Sequence, residues 1–78
     1  MNQAEIESTL LEIFAVVLGH PVTPALKRAG ETSWDSLKHI QLIFAVEEKF
    51  AVQFSEAEIP RMDSFEKFLE HLRRGHAA

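Results

Sequence analysis

Apolar residues recur along this chain at helical spacing. Between Ala4 and Leu18, the residues Ile6, Leu10, Ile13, Phe14 and Val17 fall at i, i+4, i+7, i+8 and i+11, which places them in one stripe of a helix. Asn2 followed by Glu5 is a capping-box pattern for its start, and Gly19 with Pro21 closes it, predicting a helix over 4–18. The periodicity then lapses until Trp34. This stretch holds Pro21, Pro24, Gly30, Thr32 and Ser33, so it reads as a loop of unusual length, tied down by Val22, Leu26 and Trp34. Asp35 is the natural N-cap of a second helix over 36–50, which leaves Ser36 at the first helical position. Ser55-Glu56-Ala57-Glu58 opens a short helix, 56–60, that Pro60 must limit. Asp63-Ser64-Phe65-Glu66 reads as a further capping box before a last helix, 64–74. There Phe65, Phe68, Leu69 and Leu72 form the stripe, and Arg73 and Arg74 meet the negative end of the dipole. No two segments alternate as paired strands would. The expected fold is all-α: a small four-helix bundle with three longer helices, one short third helix and a long first loop.

The second helix carries more apolar surface than one neighbour can cover. Leu42, Ile43, Val46 and Phe50 make one face, and Leu37, Ile40 and Phe44 make a second stripe rotated away from it; Lys38, Gln41, Glu48 and Lys49 form a narrow polar strip. Two explanations stand at this point. The helix is central and packs against both others, or the second stripe is exposed and docks a partner. A mixture is also consistent, with Ile40 inside and Leu37 and Phe44 at the surface.

Composition narrows the field of functions. Seventy-eight residues allow a single domain, 1–78, and no cleft between lobes. With 46% apolar and 26% charged residues the chain is too hydrophobic for intrinsic disorder. The absence of Cys removes a disulfide framework and a thiolate zinc site, which fits a reducing, cytoplasmic setting. The acidic start does not resemble a signal peptide, and no apolar run is long enough for membrane insertion. A net charge of −4 argues against nucleic acid and favours a basic protein partner. His20, His39, His71 and His76 lie in different elements without ligand spacing, so no metal site is expected.

Ser36 has chemical interest. A side chain at the first position of a helix lies beside unpaired backbone N–H groups and the positive end of the dipole, which stabilise a phosphate ester. The plainer alternative is that Asp35 and Ser36 only cap the helix. A nucleophilic role with His39 as base lacks an orienting third group, an oxyanion hole and an enclosing chain, so a non-catalytic protein is expected, with His39 at the boundary or exposed.

At these residues the chain resembles the acyl carrier protein family. Asp35-Ser36-Leu37 matches the family's Asp-Ser-Leu motif at the start of the second helix. Ile40, Leu42, Ala45 and Glu47-Glu48-Lys49-Phe50 resemble the rest of that helix, and the likeness continues through Ser55, Ile59 and Asp63-Ser64-Phe65. The resemblance implies that Ser36 receives 4′-phosphopantetheine from coenzyme A through a Mg²⁺-dependent phosphopantetheinyl transferase, and that acyl groups travel as thioesters on its thiol. It also implies partners of the acyl-activating, acyltransferase or ketosynthase type, in fatty-acid, polyketide or other specialised biosynthesis. Docking is expected at Asp35, Leu37, Ile40, Gln41, Phe44, Glu47 and Glu48 of a monomer. Space beside Ile40, Phe54 or Ile59 could shelter a short acyl chain.

Departures from the family pattern point to a specialised-pathway member. Trp34 precedes the motif where fatty-acid members usually have a small or flexible residue, and Lys38, His39 and Gln41 follow where they tend to be acidic. Residues 31–58 hold six acids against Lys38 and Lys49, but those acids avoid the first two turns after Ser36. An aminoacyl or peptidyl carrier, differing only in cargo, and an unmodified helical adaptor are the alternative readings.

Overall fold

The computed structural model describes residues 2–76, with the side chain of His76 outside the described residues. Among the described residues three α-helices follow one another: α1 (Gln3–Leu18), α2 (Ser36–Phe50) and α3 (Phe65–His76), with a 3-10 turn at Ile59–Arg61 before the last. The fold is all-helical. The described residues contain no strand, only an isolated antiparallel bridge between Lys27 and Ser64.

The termini of the helices form for local reasons. Asn2 accepts from the Glu5 amide at 2.8 Å while the Glu5 carboxylate reaches back to the Asn2 amide, so the predicted capping box is complete. Gly19 ends α1 at φ 85°, the left-handed conformation a glycine adopts without steric cost. The end of α2 is different, because Ala51 takes the same left-handed region at φ 54°. Glu47, one turn back, accepts from the Phe54 amide at 2.9 Å and steadies the chain as it leaves that strained residue.

The last two predicted elements begin differently. Ser55 and Glu58 do exchange capping hydrogen bonds, but residues 56–58 form a turn, and the short helix is the 3-10 segment Ile59–Arg61 with Pro60 inside it. Pro60 has no N–H to give an α-helical ladder, which accounts for the tighter turn. The cap of the last helix is Ser64, not Asp63. Ser64 Oγ accepts from the Lys67 amide at 3.2 Å, while Asp63 pairs with Lys67 Nζ at 2.8 Å. Ser64 and Asp63 thus divide the backbone and charge roles that one residue was expected to fill.

The core is built on Phe14, fully buried in α1, which meets the rings of Trp34, Phe65 and Phe68 edge-on at centroid distances of 5.2–5.3 Å. Ile6, Leu10, Leu42, Ile43, Val46, Leu69 and Leu72 complete it, so α1 lies against both α2 and α3. The long loop is stitched down by its own residues. Trp34 is buried, Val22 and Leu26 pack at the edge of the core, and the Phe65 amide donates to Leu26 O at 3.0 Å. No helix among the described residues is long and apolar enough to cross a membrane.

Candidate functional site

The start of α2 gathers the candidate residues. Asp35 is extended (φ −90°, ψ −175°); its carboxylate accepts from the Lys38 amide at 2.9 Å and its carbonyl from the His39 amide at 2.9 Å, the first bond of the helical ladder. The amides of Ser36 and Leu37 precede that ladder. Ser36 is exposed, and its Oγ accepts from Arg28 Nη2 at 3.3 Å. Arg28 also donates from Nε to Trp34 O at 3.4 Å, so one guanidinium spans the residue two before the serine and the serine itself.

Behind this exposed edge sits a buried polar pair. Trp34 donates its indole N–H to His39 Nδ1 at 3.0 Å, with the rings stacked at 6.0 Å. With Nδ1 accepting, Nε2 carries the hydrogen and donates to Ile59 O at 2.6 Å. His39 is 4% exposed, so the expected boundary position is corrected. On the helical wheel His39 falls in the middle of the face made by Leu42, Ile43, Val46 and Phe50, and that placement was the available signal. Trp34 supplies the donor that makes a buried imidazole tolerable. His39 also bridges the interval between α2 and the 3-10 turn, the space proposed for an acyl chain, while Phe54 is stacked on His71 at 4.4 Å and set edge-on to Phe68.

The second apolar stripe of α2 faces outward. Leu37 and Phe44 are 64% and 63% exposed, and Ile40 joins them at the surface, so the mixed arrangement with Ile40 inside does not hold. A central helix covered on both sides is therefore ruled out. Gln41 and Glu48 are exposed beside them, and Phe44, Glu47 and Glu48 border an open cleft with Val52 and Gln53. Glu47 differs from Glu48 because its carboxylate is already engaged by the Phe54 amide.

At the far side of the loop, Ser33 Oγ donates to Glu31 and lies 2.8 Å from His20 Nε2. The Ser33 hydrogen bonds and the adjacent imidazole hold the Glu31 carboxyl below the usual carboxylate range, against a smaller opposing effect of desolvation. This network fastens the end of α1 to the segment that leads into Ser36. Among the described residues no group of three His, Asp or Glu is placed to hold a metal ion.

No family model matches the chain. An acyl carrier protein of Thermosynechococcus vestitus is 31% identical to it, in an alignment that spans the whole of both chains. The chain belongs to the acyl carrier protein family. Within the family frame, Asp35-Ser36-Leu37 stands at the exposed start of the second helix, where the resemblance in sequence puts it. Arg28 is the residue of this site that sequence reasoning missed. It lies eight positions upstream in an aperiodic loop, and nothing in the spacing connects it with Ser36.

Proposed function

We propose that this chain is a non-catalytic acyl carrier whose Ser36 bears 4′-phosphopantetheine. The observation that carries the reading is the exposed Ser36 hydroxyl at the first position of α2, within hydrogen-bonding distance of a guanidinium, in a member of this family. The residues present suit the group: a free hydroxyl for the ester bond, helix-start amides and a cation for its phosphate. When bound, the group supplies a terminal thiol on which an acyl chain is held as a thioester. The chain itself supplies the attachment point, a rigid support and an address.

That address is the outward stripe Leu37, Ile40 and Phe44 with Gln41 and Glu48, which fits an apolar partner surface edged by basic residues. Asp35 serves mainly by capping the helix that presents the stripe. The partners are a phosphopantetheinyl transferase and acyl-activating, acyltransferase or ketosynthase-type enzymes, and the weakly acidic surroundings of Ser36 favour those of a specialised pathway. Loading tests the reading. After modification, the chain should accept a radiolabelled acyl group that hydroxylamine releases, as a thioester requires, and Ser36→Ala should accept none; label resistant to hydroxylamine or retained in Ser36→Ala would refute it.

A further inference from the structure

Arg28 is fixed at both its ends. Its amide donates to Asp63 O at 2.8 Å, beside the Lys27–Ser64 bridge, so its backbone is tied to the start of α3. Its half-buried side chain crosses to the start of α2, where Nε and Nη2 meet Trp34 O and Ser36 Oγ. Both acceptors are neutral, and both bonds are long for a guanidinium. The acids nearby in sequence are engaged elsewhere: Glu31 with Ser33, Asp35 with the Lys38 amide and Asp63 with Lys67. Among the described residues Arg28 has no ion pair. A cation held by two neutral oxygens, with further N–H groups unspent, is poised for an anion.

We propose that Arg28 is a positioning residue for modification of Ser36, orienting the hydroxyl before transfer and pairing with an anionic phosphodiester oxygen afterwards. The proposal rests on Ser36 being the attachment point. With Nη2–H directed at Oγ, a serine lone pair is engaged and the hydroxyl hydrogen remains free to leave. In the transfer, Ser36 Oγ bonds to the pantetheine-side phosphorus of coenzyme A. The pyrophosphate P–O bond breaks, adenosine 3′,5′-bisphosphate departs with the electron pair, and the serine proton passes to a base of the transferase. The diester left on Ser36 keeps one negative charge, which Arg28 is placed to neutralise.

The test compares full-length wild type, Arg28→Met and Arg28→Lys as substrates of one transferase with coenzyme A. Arg28→Met keeps the side-chain stem and all backbone bonds, and should lower kcat about tenfold while changing KM for the chain less than twofold. Arg28→Lys should recover part of the loss. In the modified proteins, the ³¹P resonance of the diester should move in Arg28→Met toward its position in the urea-unfolded chain. Wild-type kcat with an unmoved resonance overturns the inference and leaves the carrier reading standing. Should Arg28→Met lose its helical circular dichroism, Arg28→Lys decides alone, an intermediate rate and shifted resonance supporting the inference and wild-type values overturning it. A wild-type chain that gains no mass removes both readings.

Discussion

Trp34 and His39 face each other across a helix start, the indole N–H of one donating to Nδ1 of the other at 3.0 Å with both side chains buried. The pair joins three segments, since Trp34 packs on Phe14 of α1 and His39 reaches Ile59 O in the 3-10 turn. Ser36 lies between the two partners in sequence, so the pair fixes the backbone that presents it. Breaking one partner strands the other, because a buried polar atom without a bond costs about 1–3 kcal/mol. Trp34→Phe should therefore destabilise the fold by at least that much, with the smaller ring adding to the loss. The pair Trp34→Phe and His39→Leu should be less destabilising together than their separate costs imply, as measured by urea unfolding of all four proteins.

The left-handed Ala51 offers a change in the opposite direction. An L-residue there costs about 1–2 kcal/mol, only part of which is offset when glycine raises the entropy of the unfolded chain. Ala51→Gly should stabilise the fold by about 0.5–1 kcal/mol. A lowered unfolding midpoint would show that the α2 terminus is not strained.

Glu47 and Glu48 are adjacent acids with different work. Glu47→Lys forfeits the bond to the Phe54 amide and should cost about 1 kcal/mol of stability, whatever it does to partner binding. Glu48→Lys and Leu37→Ala should leave the unfolding midpoint nearly unchanged and reduce turnover by partner enzymes. Unchanged turnover for both would place the address away from α2.

Three carboxyls are held below their ordinary range: Glu31 by the Ser33 hydroxyl, Glu58 by the Ser55 amide and hydroxyl, and Asp63 by Lys67. A depressed folded-state value means that the stability each provides is present above the unfolded value, about 4, and is lost as pH falls through the folded one. Stability should thus decline below about pH 4, and Glu58→Gln should soften that decline. Asp63 alone owes its shift mainly to a charged partner, and that pair is half exposed, so salt should weaken its share of the effect. An acid limb insensitive to Glu58→Gln and to salt would contradict this assignment.

Much of this architecture is legible in the sequence, because periodicity and caps are local. The stripe from Ile6 to Val17, the Asn2–Glu5 box and the Asp35 cap all follow from residues within a few positions of each other. The failures have a common physical source. The burial of His39 depends on a donor from Trp34 and on an acceptor at Ile59 O, twenty positions downstream. Arg28 reaches Ser36 only because the loop is pinned to the start of α3. Each is settled by a contact between segments, which the helical period does not encode. The exposed stripe was visible as a pattern, yet only packing decided that Ile40 faces outward with Leu37 and Phe44.

The attachment of phosphopantetheine to Ser36 is the central claim, and intact mass spectrometry tests it most directly. The chain is incubated with coenzyme A, Mg²⁺ and a phosphopantetheinyl transferase of broad specificity, beside a control carrier and Ser36→Ala. The account predicts a single added phosphopantetheine on the wild-type chain and none on Ser36→Ala. No mass gain while the control is modified, or a gain that persists in Ser36→Ala, would contradict it.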